Sequence, residues 1–244
     1  YPAVDWVLHF ENNGASDTPI IEDIQALDAN FTLNKDHDAV MHRLRGDSCG
    51  EQSFTPLTEK IKTGRPIAIA AEDGSPSQGM GFPFFTIQNG DAGFMMAIGW
   101  TGQWATTFNK NDDAMQIRAG MEKTHFLLHP GEKVRSPRIL IMTWDVSLDN
   151  AYNRFRRLML FHFSPKSNGR PVRMPIAMQC FDRYNRPFDI ENNRLEWATE
   201  EGQLDAIRAG HRIGCDAHWF DAAWFVGDFP YGVGNYDPKP EEFP

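Results

Sequence analysis

The residue types best suited to chemistry lie near the end of the chain, in Cys215-Asp216-Ala217-His218-Trp219-Phe220-Asp221-Ala222-Ala223-Trp224-Phe225. A carboxylate accepts hydrogen bonds from hydroxyl groups, and an indole face covers the apolar C–H face of a pyranose ring. Asp221 and Trp224, three residues apart, therefore suit recognition of a sugar or another polyol. The same two residues also suit a plainer arrangement, in which Asp221 caps a turn and Trp224 fills a packed layer. Metal binding is the weaker reading. Along a strand Asp216 and His218 share one face while Asp221 lies on the other, which works against three ligands converging. His125 and His129 have the i, i+4 spacing of a helical pair, but a strand ending at Pro130-Gly131 removes the reason for pairing. Cys49, Cys180 and Cys215 are odd in number and show no CxxC spacing, so neither a disulfide framework nor a structural zinc is expected. The chain has no glycine-rich phosphate loop, no HExxH and no GxSxG, so no nucleotide, zinc-protease or serine-hydrolase chemistry is expected, and no cofactor.

The elements that must position Asp221 are a strand, a helix and a second strand. Pro175–Phe181 reads as a strand, about Thr199 to Ile213 as a helix ended by Gly214, and Cys215–Phe220 as the next strand. That order predicts two parallel strands joined by a crossover, and Asp221 then stands at the C-terminal end of a parallel strand, where barrel active sites form. One such unit does not make a domain, so the expectation is a (β/α) barrel of which this chain holds the start.

Upstream the pattern differs. Trp6–Phe10, Ile67–Ala71, Phe82–Ile87, Gly93–Trp100, His125–Leu128 and Arg138–Trp144 are short apolar runs. Turn clusters such as Asp73-Gly74-Ser75-Pro76 and Asn89-Gly90-Asp91 fall between them, which predicts an antiparallel β-sandwich. Leu148, Ala151, Tyr152, Phe155, Leu158 and Met159 then recur at helical spacing, with Ser147 as the N-cap. Ser164–Pro171, rich in Ser, Pro, Gly and basic residues, is the expected linker. These boundaries give residues 1–164 as a sandwich with an exit helix and 165–244 as the beginning of a barrel.

Composition narrows the partners. The chain carries 33 acidic and 24 basic residues, a net charge of −9, which repels phosphate backbones and argues against nucleic acid. The basic groups Arg154, Arg156, Arg157 and Lys166, Arg170, Arg173 read as solvated surface. No run approaches the ~20 apolar residues of a membrane helix. Asn30-Phe31-Thr32 matches a glycosylation sequon that also arises by chance. The start Tyr1-Pro2-Ala3 is not a signal peptide and leaves the compartment open between cytoplasm, periplasm and exterior.

Taken in order, several segments resemble glycoside hydrolase family 36, the α-galactosidase family. Ser75–Gln78 through Pro83-Phe84-Phe85 is similar to the family's serine-rich turn and Asn-Pro-Phe-Phe strand. Gly99-Trp100-Thr101-Gly102-Gln103-Trp104 resembles its Ser-Gly-Asn turn, and Leu128-His129-Pro130-Gly131-Glu132 with Ser136-Pro137 its Leu-x-Pro-Gly-Glu and Thr-Pro-Glu stretch. Asn150–Leu158 resembles the helix that leaves the sandwich, Pro175–Asp182 the first barrel strand, and Phe220–Phe225 the Leu-Asp-Asp-Gly-Trp-Phe strand end. Gly234-Asn235-Tyr236 and Phe243-Pro244 are similar to Gly-Asp-Trp and Phe-Pro in the following loop.

The resemblance implies an N-terminal β-supersandwich, a (β/α)₈ catalytic barrel and retaining hydrolysis of α-galactosides of oligosaccharides. It implies Asp221, Trp224, Phe181, Asp182 and Tyr236 as substrate-binding residues, and is compatible with a homo-oligomer. Ala222 and Ala223 replace the family's second Asp and its Gly, Phe181 and Asp182 replace Trp and Glu, and Tyr236 replaces Trp. These changes leave the preferred sugar open, including α-N-acetylgalactosamine and transglycosylation. The family's nucleophile and acid/base sit on later barrel strands, so both are expected beyond residue 244, and residues 1–244 alone are expected to be inactive. The competing reading is a non-catalytic carbohydrate-binding or interaction module, with Trp100 and Trp104 as its platform.

Overall fold

A computed structural model describes residues 1–179, 198–222, 224–227 and 230–244. The chain divides into two compact units, Tyr1–Ser164 and Pro165–Pro244.

The first unit is built on two antiparallel sheets. One contains β1 (Ala3–Trp6), β3 (Ala39–Leu44), β4 (Pro56–Lys60), β6 (Phe84–Asn89), β7 (Ala92–Gly99) and β10 (Arg138–Asp145), in the order β1-β10-β7-β6-β3-β4. The other contains β2 (Gln25–Thr32), β5 (Ile67–Ala70), β8 (Trp104–Lys110) and β9 (Ala114–Met121), in the order β2-β9-β8-β5. Successive side chains of a strand point to opposite faces. In β8 that alternation sends Trp104, Thr106 and Phe108 inward, and in β9 it sends Met115, Ile117 and Ala119 inward. These meet Met41, Phe85, Ile87, Met96 and Ile139 of the facing sheet in one hydrophobic core. The Trp6 indole N–H donates to the Ala26 carbonyl at 2.9 Å, linking the two sheets by a hydrogen bond as well as by packing.

The centre of the larger sheet is covered on both sides. Phe94, Met96, Ile98, Ile139 and Ile141 face the other sheet, while Met95, Ala97, Leu140, Met142 and Trp144 face away from it. That second surface is sealed by α1 (Leu148–Leu158), which lays Ala151, Phe155 and Leu158 onto it. Their spacing of three and four residues puts all three on one helical stripe. As the sequence predicts, Ser147 is the N-cap, its hydroxyl oxygen accepting the Asn150 N–H at 3.3 Å. Val146 before it takes φ 76°, the left-handed region that a β-branched residue rarely adopts. A π-helical turn, Met159–Phe163, closes the unit.

Small ribbons fasten the periphery. His9–Glu11 pairs with Lys133–Arg135, and Ile21–Glu22 with His125–Phe126. The single run expected at Trp6–Phe10 is therefore two strands with different partners. His125 and His129 both serve these edges. The Nδ1 of His125 lies 3.2 Å from Glu22, and that of His129 lies 2.7 Å from Asp17. The Asp17 carboxylate, by hydrogen bond and then by charge, raises the His129 pKa above its ordinary value of 6.5.

In the second unit β11 (Ala177–Gln179) and β12 (Ala217–Trp219) pair in parallel, and α2 (Glu200–Arg212) lies between them in sequence and touches both. Thr199 caps α2, its hydroxyl accepting the Gly202 N–H at 3.1 Å, and Gly214 leaves the helix at φ 86°. Gly210 lets helix and strand approach closely: a Cβ there would meet Met178 Sδ at 3.2 Å. The expected linker forms a tight two-stranded turn, Lys166–Ser167 against Arg170–Pro171. Beyond this ribbon the described residues of the unit show one parallel strand pair and one helix, and they do not show that these begin a barrel, as the sequence leads one to expect. Among the described residues no helix is long and apolar enough to cross a membrane.

Candidate functional site

The site is built where β12 ends. From Trp219 the chain runs through Phe220, Asp221 and Ala222 to Trp224 and Phe225, and then folds back. Phe225 bridges Pro238, the Lys239 N–H donates to the Trp224 carbonyl at 3.0 Å, and the Val226 N–H donates to the Asp237 carbonyl at 2.9 Å. The Asn235 side-chain amide adds a bond to the Val226 carbonyl at 3.1 Å. These backbone bonds bring Tyr236 beside Trp224.

The result is a row of rings. Phe220 stacks on Trp224 with centroids 5.5 Å apart and planes 28° from parallel. Phe243 lies 5.4 Å from Phe220 on one flank, and Tyr236 lies 6.4 Å from Trp224 on the other. Phe225 is buried against the edge of Trp224, which fixes the indole from beneath. Tyr236 remains 79 % exposed and Phe220 40 %. Asp221 is half-buried between the first two of these rings in sequence, and it already interacts with its surroundings. Phe181 and Asp182, the remaining pair of expected site residues, lie outside the described residues.

The other polar residues of β12 have structural work. Asp216 accepts the Arg173 guanidinium at 2.9 Å and the Ile176 N–H at 3.0 Å, joining the starts of the two parallel strands. The Nε2 of His218 lies 2.6 Å from the side-chain oxygen of Gln203 on α2, so His218 faces the helix. Alternation along the strand then sends Trp219 to the face opposite the helix. Among the described residues no group of three His, Cys, Asp or Glu side chains gathers as a metal would require. Cys49 and Cys215 are free thiols.

Of the two tryptophans envisaged as a platform at Gly99–Trp104, Trp104 is not available to a ligand and Trp100 is half-buried. Trp104 is fully buried, its indole N–H donating to the Pro76 carbonyl at 2.7 Å, so it holds the serine-rich turn in place. The Trp100 ring is covered by the Arg135 guanidinium, 5.4 Å from its centroid. Sequence reading missed this because a tryptophan beside a turn and a tryptophan starting a strand look alike.

No protein family's sequence pattern matches this chain, and no curated protein matches it. Solved structures do. The glycoside hydrolase family 36 α-galactosidase AgaA of Geobacillus stearothermophilus superposes with a TM-score of 0.73 at 15 % identity, covering 100 % of this chain and 33 % of that one. The galactosidase domain of the α-galactosidase–sucrose kinase AgaSK gives 0.74 at 15 % identity, over 99 % and 32 % of the two chains. The α-galactosidase of Lactobacillus brevis gives 0.68 at 12 % identity, over 96 % and 30 %. What is shared is the fold. The chain spans about a third of the length of these enzymes, and its sequence is only 12–15 % identical to theirs. AgaA has also been solved in complex with stachyose and with raffinose.

Proposed function

We propose that this chain belongs to a retaining α-glycosidase of the α-galactosidase type, acting on terminal α-linked sugars of oligosaccharides. On this reading residues 1–164 are the sandwich domain and residues 165–244 begin the catalytic barrel. The observation that supports this reading is the ring row at the end of β12, Phe220, Trp224 and Tyr236, with Asp221 next to Phe220 in sequence, in a chain whose fold follows that of the α-galactosidases. A stacked indole offers an apolar face to the C–H side of a pyranose, and a carboxylate beside it accepts hydroxyl hydrogens. Trp224 is the stacking residue, Asp221 the hydroxyl acceptor and Tyr236 the exposed rim, and Phe181 and Asp182 are proposed as further substrate-binding residues.

A retaining mechanism needs two opposed carboxyl groups, one attacking the anomeric carbon and one protonating the leaving oxygen. Neither role is given to Asp216 or Asp221. Asp216 is spent on Arg173 and Ile176, and Asp221 is a binding residue. Residues 1–244 alone are therefore proposed to lack turnover. With Ala222 next to Asp221, one carboxylate rather than two faces the sugar at this point, so the preference among galactose, N-acetylgalactosamine and glucose is an open part of the proposal.

The test is an assay of the whole protein that carries this chain, with aryl α-galactoside and its N-acetylgalactosamine and glucose counterparts. Turnover of one of them, reduced at least about tenfold in kcat/KM by Trp224→Ala, is the expected result. Full activity in that variant, or turnover by residues 1–244 alone, overturns the assignment.

A further inference from the structure

A concave surface lies in the sandwich unit, at the mouth between the two sheets. It is a cleft of about 750 Å³, within the ~300–1,000 Å³ of small-ligand sites. Its floor is apolar: Phe31 at the end of β2 stacks on Phe94 of β7 with centroids 4.6 Å apart, and Ile87 lies beside them. Phe94 and Ile87 are buried, while Phe31 is only half-buried and lines the opening.

The rim is polar and carries two carboxylates. Asp91 sits in the turn between β6 and β7, and Asp145 ends β10. The two are adjacent because Asp145 pairs with Ala92, and because the Val146 N–H donates to the Asp91 carbonyl at 3.0 Å. That bond is made from the left-handed backbone of Val146, so the geometry of the rim is held against a local preference. The Asp91 side chain makes no hydrogen bond or ion pair with any described residue, and Asp145 meets only Arg154, at 3.9 Å. By contrast Asn89 is fully used: its amide N–H groups donate to the carbonyls of Asn34, His37 and Asp38. The turn is thus tied down by hydrogen bonds, while the Asp91 carboxylate stays open and Asp145 is engaged only by the long contact to Arg154.

We propose that this cleft is a non-catalytic saccharide site, separate from the ring row at the end of β12. A pyranose would rest its C–H face on Phe31 and donate hydroxyl hydrogens to Asp91 and Asp145. The acidic rim disfavours anionic ligands such as phosphates, and the open, shallow shape disfavours a buried lipid chain. The choice of a sugar as probe rests on the glycosidase reading, whereas the cleft stands on its own geometry. One bound ring and an open mouth give weak binding, in the millimolar range.

The test is a titration of the 244-residue chain, as the Trp224→Ala variant to silence the other site, with raffinose followed by amide NMR. Saturable shifts at Ala92, Gly93 and Phe94 are expected. The double change Asp91→Asn and Asp145→Asn should weaken them about tenfold, and Asp91 and Asp145 are exposed enough for that variant to fold. The absence of saturable shifts at these three amides, or shifts unchanged in the double variant, overturns the proposal. So does movement of the same amides by spermidine and not by raffinose, which would make the cleft a cation site. None of these outcomes bears on turnover by the whole protein, so the two readings fail separately.

Discussion

The two units reach order by different routes. In residues 1–164 large side chains vanish from solvent: Trp104, Phe85, Phe108, Met41 and Met96 are fully enclosed, and α1 seals the far side of the sheet. In residues 165–244 the described large apolar side chains mostly remain in view. Met174 is 74 % exposed, Trp219 is 62 % and Ile213 is 75 %. Parallel strands are stable when both faces are covered, and among the described residues a pair three residues long has one helix. The lesson is that the same chain holds one unit with an enclosed core and one whose described apolar side chains mostly face solvent. The candidate sugar-binding rings lie on the second.

The contrast can be broken or sharpened experimentally. The largest effect is expected from Trp104→Ala, which opens a cavity at the centre of the sandwich and removes the bond holding the 72–81 turn. A loss of about 3–5 kcal/mol in urea unfolding is expected, and a loss under about 1 kcal/mol would show that the core is looser than its burial implies. Gly210→Val drives a branched side chain into Met178, where α2 meets β11. Overpacking of this kind costs roughly 1–3 kcal/mol, and should appear as faster amide exchange across 200–212. Unchanged exchange there would mean that helix and strand do not hold each other. Ser147→Ala deletes one cap and should cost about 1 kcal/mol of sandwich stability, measured the same way.

The smallest effect concerns pH. The His129 pKa is raised in the folded chain by Asp17, so its contribution to stability is complete below the unfolded value of 6.5 and is lost as pH rises through the folded value. Asp17→Asn should lower the His129 titration midpoint in NMR and flatten the pH dependence of melting above 6.5. An unchanged midpoint would show that the contact is not kept in solution. Because both groups are exposed, the change in melting will be slight.

How much of this was legible in the sequence follows from where polar residues sit. Strands buried on both faces, such as β7 and β10, announce themselves as continuous apolar runs. The smaller sheet did not. Of its four strands only β5 is wholly apolar, whereas β2, β8 and β9 alternate core residues with Asp28, Asn30, Thr107, Gln116 and Arg118 on the open side. Counting apolar neighbours dilutes such strands, and a strict search for period two would have found them. The N-cap, α1 and α2 were readable because capping and helical spacing are local. The ring row was readable only in part. Asp221 and Trp224 stood out as residue types, but the stacking of Phe220 and the approach of Tyr236 depend on backbone bonds between residues 224–226 and 237–239. Those pairings have no signature in spacing alone.

The double-sided burial of β7 has one more consequence. A strand normally stores its own alignment, since a slip by one residue turns its apolar face outward. In Phe94-Met95-Met96-Ala97-Ile98 five consecutive residues are buried, so sliding by one position exchanges one apolar side chain for another and carries little penalty. The information that fixes the alignment must be stored elsewhere. Gly93 supplies it: a Cβ there would collide with the Ile87 carbonyl and come within 2.9 Å of the Trp144 ring, so only a residue without a side chain fits that point of the lattice. A single missing atom group acts as the index mark against which the strand at the centre of the sandwich is read.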